Sequence, residues 1–196
     1  MPSKSKKRIG VLALQGSFAE HAAMIRKLGH EAYEIRSLED VRRIDPQALI
    51  LPGGESTTMM KFLEKNALRD WLSAAIRAGT PVLATCAGVI LLSRSHLNLL
   101  DIDVDRNAYG SQLDSFETAI NLNAPLVTGH SSPKKFPAIF IRAPRIKKTG
   151  LKVTTLAAIE GEPILVQQDK ILGATFHPEL TKDTRIHKIL LGFLST

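Results

Sequence analysis

From Ile9 to Ser93 the chain alternates apolar runs of strand length with amphipathic stretches of helix length. Ile9–Leu14, His30–Ile35, Ala48–Leu51 and Pro81–Ala84 read as strands. Between them, residues 17–28 carry Phe18, Ala22, Ile25 and Leu28 at close to a 3.6 period and stop at Gly29, which predicts a helix. Residues 56–65, 67–78 and 87–93 read as further helices. A strand that is apolar throughout has no face left for water. Strand–helix alternation of this kind therefore predicts an α/β fold, in which a mostly parallel central sheet is flanked by helices on both faces. After Arg106 the character changes: short strand candidates lie at 115–120, 137–142, 153–158, 163–168 and 171–176, followed by a closing amphipathic stretch at 181–194. The expectation is a single three-layer domain over residues 1–196, with residues 1–8 as a basic N-terminal tail.

Composition narrows the class. An apolar share of 44% with 23% charged residues excludes a mostly disordered chain, a coiled coil and a collagen-like repeat. The single cysteine, Cys86, permits neither an intramolecular disulfide nor a multi-cysteine zinc site, and it suits a reducing, cytoplasmic setting. The longest apolar run, Pro81–Leu92, is broken by Thr85 and Gly88 and falls short of the roughly 20 residues a membrane helix needs, so no membrane association is expected. The apolar stretch after the basic N-terminus is shorter than a signal-peptide core.

Twenty-six Lys and Arg against nineteen Asp and Glu give a net charge of +7, which raises nucleic acid as a partner. Aromatics at 5% and the lack of a binding motif argue against it, so no nucleic-acid partner is expected. Position sharpens the point. Residues 118–159 contain no acidic side chain but hold Lys134, Lys135, Arg142, Arg145, Lys147, Lys148 and Lys152. These seven account for the whole excess: a solvated basic face, or one that docks an acidic protein surface.

Three sites carry chemistry. Cys86 follows an apolar strand and precedes a helix start rich in small residues (Thr85, Ala87, Gly88). A tight strand-to-helix turn there would hold the thiol at a helix N-terminus, which favours thiolate. Taken alone, Cys86 reads more readily as a buried, inert thiol. The strand candidate 171–176 runs into His177-Pro178-Glu179. Residues two apart on an extended chain share a side, so Glu179 can orient the His177 imidazole, unless His177 is merely an unpartnered strand-end histidine. None of the other five histidines has a carboxylate so placed; His21 follows Glu20, but neighbours on a helix do not face each other. Pro52-Gly53-Gly54-Glu55-Ser56 follows the third strand, and its backbone N–H groups, with that of Ala87, can form an oxyanion hole. As a bare pattern it is more often an ordinary turn.

Together, Leu51-Pro52-Gly53-Gly54-Glu55-Ser56-Thr57, Thr85-Cys86-Ala87-Gly88 and His177-Pro178-Glu179 resemble the class I, triad-type glutamine amidotransferases. Leu12-Ala13-Leu14-Gln15-Gly16, Arg106-Asn107-Ala108-Tyr109-Gly110, Asp114-Ser115-Phe116-Glu117, Phe140-Ile141-Arg142-Ala143-Pro144 and the ending His177–Thr181 resemble, within that class, the family of glutaminase subunits of pyridoxal phosphate synthases. The stretch from Ser93 to Asp105 is shorter than the Gly/Asp-rich loop usual there.

The resemblance implies a flavodoxin-like sheet and hydrolysis of L-glutamine to glutamate and ammonia. Cys86 would be the nucleophile, His177 the general base and acid, and Glu179 the orienting carboxylate. Gly53, Gly54, Glu55 and Ser56 would lie at the glutamine site with Arg106, Ile141 and Arg142. Gln15 would sit between the oxyanion loop and a synthase subunit that receives ammonia through a channel and builds pyridoxal phosphate. No metal or organic cofactor is implied. The alternative is a class I glutaminase subunit serving histidine or nucleotide synthesis.

Overall fold

The computed structural model describes residues 5–106, 115–122 and 135–194. In chain order the strands are β1 (Arg8–Leu12), β2 (Glu31–Ile35), β3 (Ala48–Leu51), β4 (Val82–Thr85), β5 (Ile102–Asp105), β6 (Ser115–Ile120), β7 (Phe136–Ile141), β8 (Arg145–Thr149), β9 (Thr154–Ile159), β10 (Glu162–Gln168) and β11 (Ile171–Ala174). The helices are α1 (Phe18–Lys27), α2 (Leu38–Ile44), α3 (Ser56–Lys65), α4 (Leu68–Arg77), α5 (Ala87–Leu92) and α6 (Arg185–Gly192), with a 3-10 turn at Pro178–Leu180.

Seven strands form the central sheet in the order β2-β1-β3-β4-β11-β10-β9. From β2 through β11 every pairing is parallel; β10 is antiparallel to both neighbours. The start of that order, 2-1-3-4, is flavodoxin-like, with the topological switch point between β1 and β3. Two small antiparallel ribbons, β5–β8 and β6–β7, stand beside the sheet.

The apolar runs split by period two between the two faces. Ile50, Leu83 and Leu172 join Ala22, Ile25, Ile186 and Leu190 in one core layer. Leu49, Leu51, Val82 and Ala84 join Met59, Leu63, Leu72 and Leu91 in the other. All of these strand residues are fully buried, each aliphatic side chain contributing about 1.5–3 kcal/mol of transfer free energy. That is why these strands are apolar up to Thr85, the buried last residue of β4, and the three-layer α/β fold expected from the sequence is the one observed.

The differences have local causes. α2 lacks a long apolar period; its signal is the capping box in which Ser37 and Asp40 bond each other's backbone. β5 and β8 carry charged faces and are strands because they pair with each other. The stretch before β5 buries Leu97, Leu99 and Leu100 instead of forming a loop over the site. The closing helix is shorter than expected: Thr181 and Asp183 hydrogen-bond neighbouring backbone groups and hold 181–184 out of the helix, so α6 begins only at Arg185. In the basic segment Arg145 is paired with Glu162, while Lys147, Lys148 and Lys152 stand exposed around β8 and the turn after it; Lys134 lies outside the described residues.

Candidate active site

Four strands of the parallel sheet, β1, β3, β4 and β11, end at one place, and their carboxyl ends carry the site. Cys86 is the turn from β4 into α5. Its φ of 46° and ψ of −107° put an L-residue where few settle. The conformation is held from both sides: the Cys86 N–H donates to the Ala174 carbonyl at 2.8 Å, and the Cys86 carbonyl accepts from Val89 at 3.0 Å. Gly88 lets α5 start this close to β3, since a Cβ there would collide with the Leu51 carbonyl. The thiol is 6% exposed, with its sulfur 3.9 Å from the Ile141 carbonyl oxygen.

His177 follows β11 and is anchored by its own N–H, which donates to the Ile139 carbonyl at 2.8 Å. Its Nδ1 lies 2.7 Å from Glu179 Oε1. The contact expected between these two side chains is present, but its origin differs: Glu179 sits in the 3-10 turn, not on an extended strand. Ser17, at the N-terminus of α1, donates its hydroxyl to the same oxygen at 2.6 Å.

Electrostatics follow from this arrangement. Burial disfavours a charged His177 ring, yet its hydrogen bonds to Cys86 and Glu179 outweigh that and push its pKa up to about 10. Burial would raise Glu179, but His21, His177 and the Ser17 hydroxyl hold it down to about 2. The imidazole is therefore a strong proton acceptor, set between a permanent carboxylate and the thiol.

The loop after β3 closes the other wall. A Cβ on Gly53 would run into the His177 ring and stand 3.2 Å from Cys86 Cβ, so glycine is a steric requirement there. The Glu55 N–H donates to Gln15 Oε1 at 2.5 Å, tying this loop to the one after β1. Glu55 caps α3, accepting from Thr58 and Thr57; the Thr58 hydroxyl chiefly lowers its pKa. Arg106 reaches over that helix start, donating to Thr57 Oγ1 at 2.9 Å, with Glu55 at 3.9 Å. Ile141 and Arg142 arrive from the end of β7, Arg142 with a φ of 43°.

These residues enclose a cavity of about 450 Å³, within the range of small-molecule sites. Gln15, Gly53, Gly54, Glu55, Ser56, Cys86, Arg106, Ile141, Arg142 and His177 all line it. Glu179 lies behind His177, and Ala87 is buried beneath Cys86. Residues 107–110 of the Arg106 motif and Asp114 fall outside the described residues. Among the described residues no cluster of three or more His, Cys, Asp or Glu could hold a metal ion. Sequence reasoning missed Ser17 and His21, which reach Glu179 from α1. Only the fold brings that helix there; a serine one residue ahead of a predicted helix signals no more than a cap.

Fold and site together define a doubly wound α/β protein whose strand-to-helix cysteine faces a histidine–carboxylate pair. The profile of the SNO glutamine amidotransferase family matches residues 11–194, and the chain belongs to that family. It is 47% identical over 191 residues to a pyridoxal 5'-phosphate synthase subunit PdxT of Thermotoga neapolitana, covering 94% of this chain and 97% of that one. With the subunit of the same name from Fervidobacterium nodosum it shares 44% identity over 190 residues, 93% and 95% of the two chains. A solved crystal structure of a glutamine amidotransferase superposes with a TM-score of 0.85 at 38% identity, covering 96% of this chain and 99% of that one.

Proposed function

We propose that this chain is the glutaminase subunit of a pyridoxal 5'-phosphate synthase, hydrolysing L-glutamine and handing the ammonia to a synthase subunit. The observation that carries this reading is His177, hydrogen-bonded to Glu179 and set beside Cys86 at the wall of a cavity that also holds two arginines. The names of its relatives favour this pathway over histidine or nucleotide synthesis.

Arg106 and Arg142 supply guanidinium groups for the carboxylate of a free amino acid, the ligand geometry they suit best. Cys86, deprotonated by His177, attacks the carboxamide carbon. The oxyanion is held by backbone N–H groups at Gly53, Gly54 and Ala87. His177 then protonates the departing ammonia, leaving a glutamyl thioester. Water, deprotonated by His177, releases glutamate and restores the thiol. Neither metal nor organic cofactor enters these steps. Gln15 and the loop it bonds lie at the rim, where the synthase would dock and take up ammonia through a channel. No helix among the described residues is long and apolar enough to cross a membrane. A reducing compartment such as the cytoplasm suits a lone nucleophilic thiol.

The test is ammonia release from glutamine by the chain alone and with its synthase partner. The expected result is weak release alone and strong release in the complex. Unchanged release by Cys86→Ala would overturn the mechanism.

A further inference from the structure

Behind Glu179 lies a buried pair of histidines that the steps above do not use. His21, on the inner face of α1, and His187, on α6, are both fully buried, with His21 Nδ1 2.9 Å from His187 Nε2. His21 Nε2 is 3.0 Å from Thr85 Oγ1, the residue before the nucleophile, and 3.2 Å from Glu179 Oε2. Glu179 Oε1 accepts from both Ser17 and His177, whereas the buried Oε2 has no aligned hydrogen bond. Polar rings in a core are costly unless something uses them, and a purely structural link from α1 to α6 needs no imidazole.

The tautomers follow from this geometry. His21 Nε2 stands 3.2 Å from the charged Glu179 Oε2, which favours a proton over a lone pair there even though the bond is not aligned, so the proton belongs on Nε2. Nδ1 then accepts from His187 Nε2–H, and the unpartnered His187 Nδ1 is a bare lone pair, the cheaper group to leave unsatisfied. His187 thus fixes the tautomer of His21, whose N–H lies between Thr85 and the free oxygen of Glu179.

We propose that His21, with its tautomer set by His187, is a positioning residue: it fixes the second oxygen of Glu179 and so the plane in which that carboxylate holds His177 against Cys86. The activity arm of the test rests on the glutaminase reading; the thiol arm does not.

The experiment compares His21→Leu and His21→Gln with wild type in the full complex. It measures kcat and KM for ammonia release, and alkylation of Cys86, the sole cysteine, by iodoacetamide. In His21→Leu, kcat should fall about tenfold with KM within about twofold, the size of loss expected from a slightly misplaced catalytic group. Alkylation at pH 7 should slow by a similar factor, with its limiting alkaline rate unchanged. His21→Gln, which can still donate, should recover most of both losses. Wild-type behaviour of His21→Leu, or equal failure of both variants, would overturn the proposal and leave His21 a packing residue. If His21→Leu does not fold, His187→Phe is the substitute: slower alkylation at pH 7 supports the proposal, and an unchanged rate refutes it. Should wild type release no ammonia, the glutaminase reading fails and alkylation alone judges His21.

Discussion

The Ser17 hydroxyl donates to Glu179 Oε1 at 2.6 Å, joining residues 162 positions apart. It ties the loop after β1 to the turn after β11, across the strands that carry Gly53 and Cys86. Hydrogen bonds to a charged group contribute about 1.5–3 kcal/mol, so Ser17→Ala should lower unfolding stability by that order. It should also reduce ammonia release severalfold, because one of the two donors to that oxygen is gone. Urea titration and a glutaminase assay check both, and an unaltered midpoint would mean the bond contributes nothing.

Cys86 occupies a backbone conformation that costs an L-residue roughly 1–3 kcal/mol. Replacement by Ala or Gly should each abolish activity, a fall of about a thousandfold or more. Their stabilities should diverge, with Cys86→Gly about 1 kcal/mol more stable than Cys86→Ala, the reverse of the usual glycine penalty. Equal melting temperatures for the two would show that the elbow is unstrained.

Gly53→Ala should disable the site without replacing a titratable group. The added Cβ collides with the His177 ring, so either the ring or the loop must move. Overpacking of this kind costs typically about 1–3 kcal/mol. We expect activity to drop at least tenfold, on the scale of misplacing a catalytic group. Full activity in this variant would contradict the observed closeness of loop and ring.

Stability should peak near neutral pH, for reasons assignable to single groups. Glu179 is held near 2 against an ordinary 4.5, so its contribution is present above 4.5 and lost as pH falls from there toward 2. His187 is pushed down by burial to about 3 from 6.5, so keeping it neutral begins to cost stability as pH falls below 6.5. His177 is raised to about 10, so its contribution is complete below 6.5 and lost as pH rises toward 10. Denaturation midpoints from pH 3 to 10 should show both limbs. His177→Asn should flatten the alkaline limb and also soften the part of the acid limb that its bond to Glu179 supplies, and an alkaline limb that survives this substitution must come from another group.

Arg142→Ala should raise KM for glutamine about tenfold or more with a smaller effect on kcat, since a guanidinium–carboxylate contact serves binding before chemistry. Steady-state kinetics with the synthase complex decide it, and an unchanged KM would remove Arg142 from the glutamine site.

Much of the fold was legible because the central strands of the parallel sheet are almost wholly apolar. Ala48–Leu51 and Val82–Thr85 have nowhere to go but the middle of three layers. α2 and the β5–β8 ribbon were not legible: a capping box on seven residues and a charged strand carry little periodic signal, and their stability comes from neighbours. At the site, Cys86, His177 and Glu179 could be read because each stands at the end of an apolar run or two residues from one that does.

The sequence by itself determined the layer order, the elbow at Cys86 and the local pairing of His177 with Glu179. Those depend on hydrophobic period and on groups a few residues apart. Only the tertiary structure decided that Ser17 and His21 converge on Glu179 from α1, that Arg106 reaches Thr57, and that Gly53 abuts the His177 ring. Such contacts join groups tens to more than a hundred residues apart. The strand order of the sheet brings them together, and no local pattern in the chain encodes their distance.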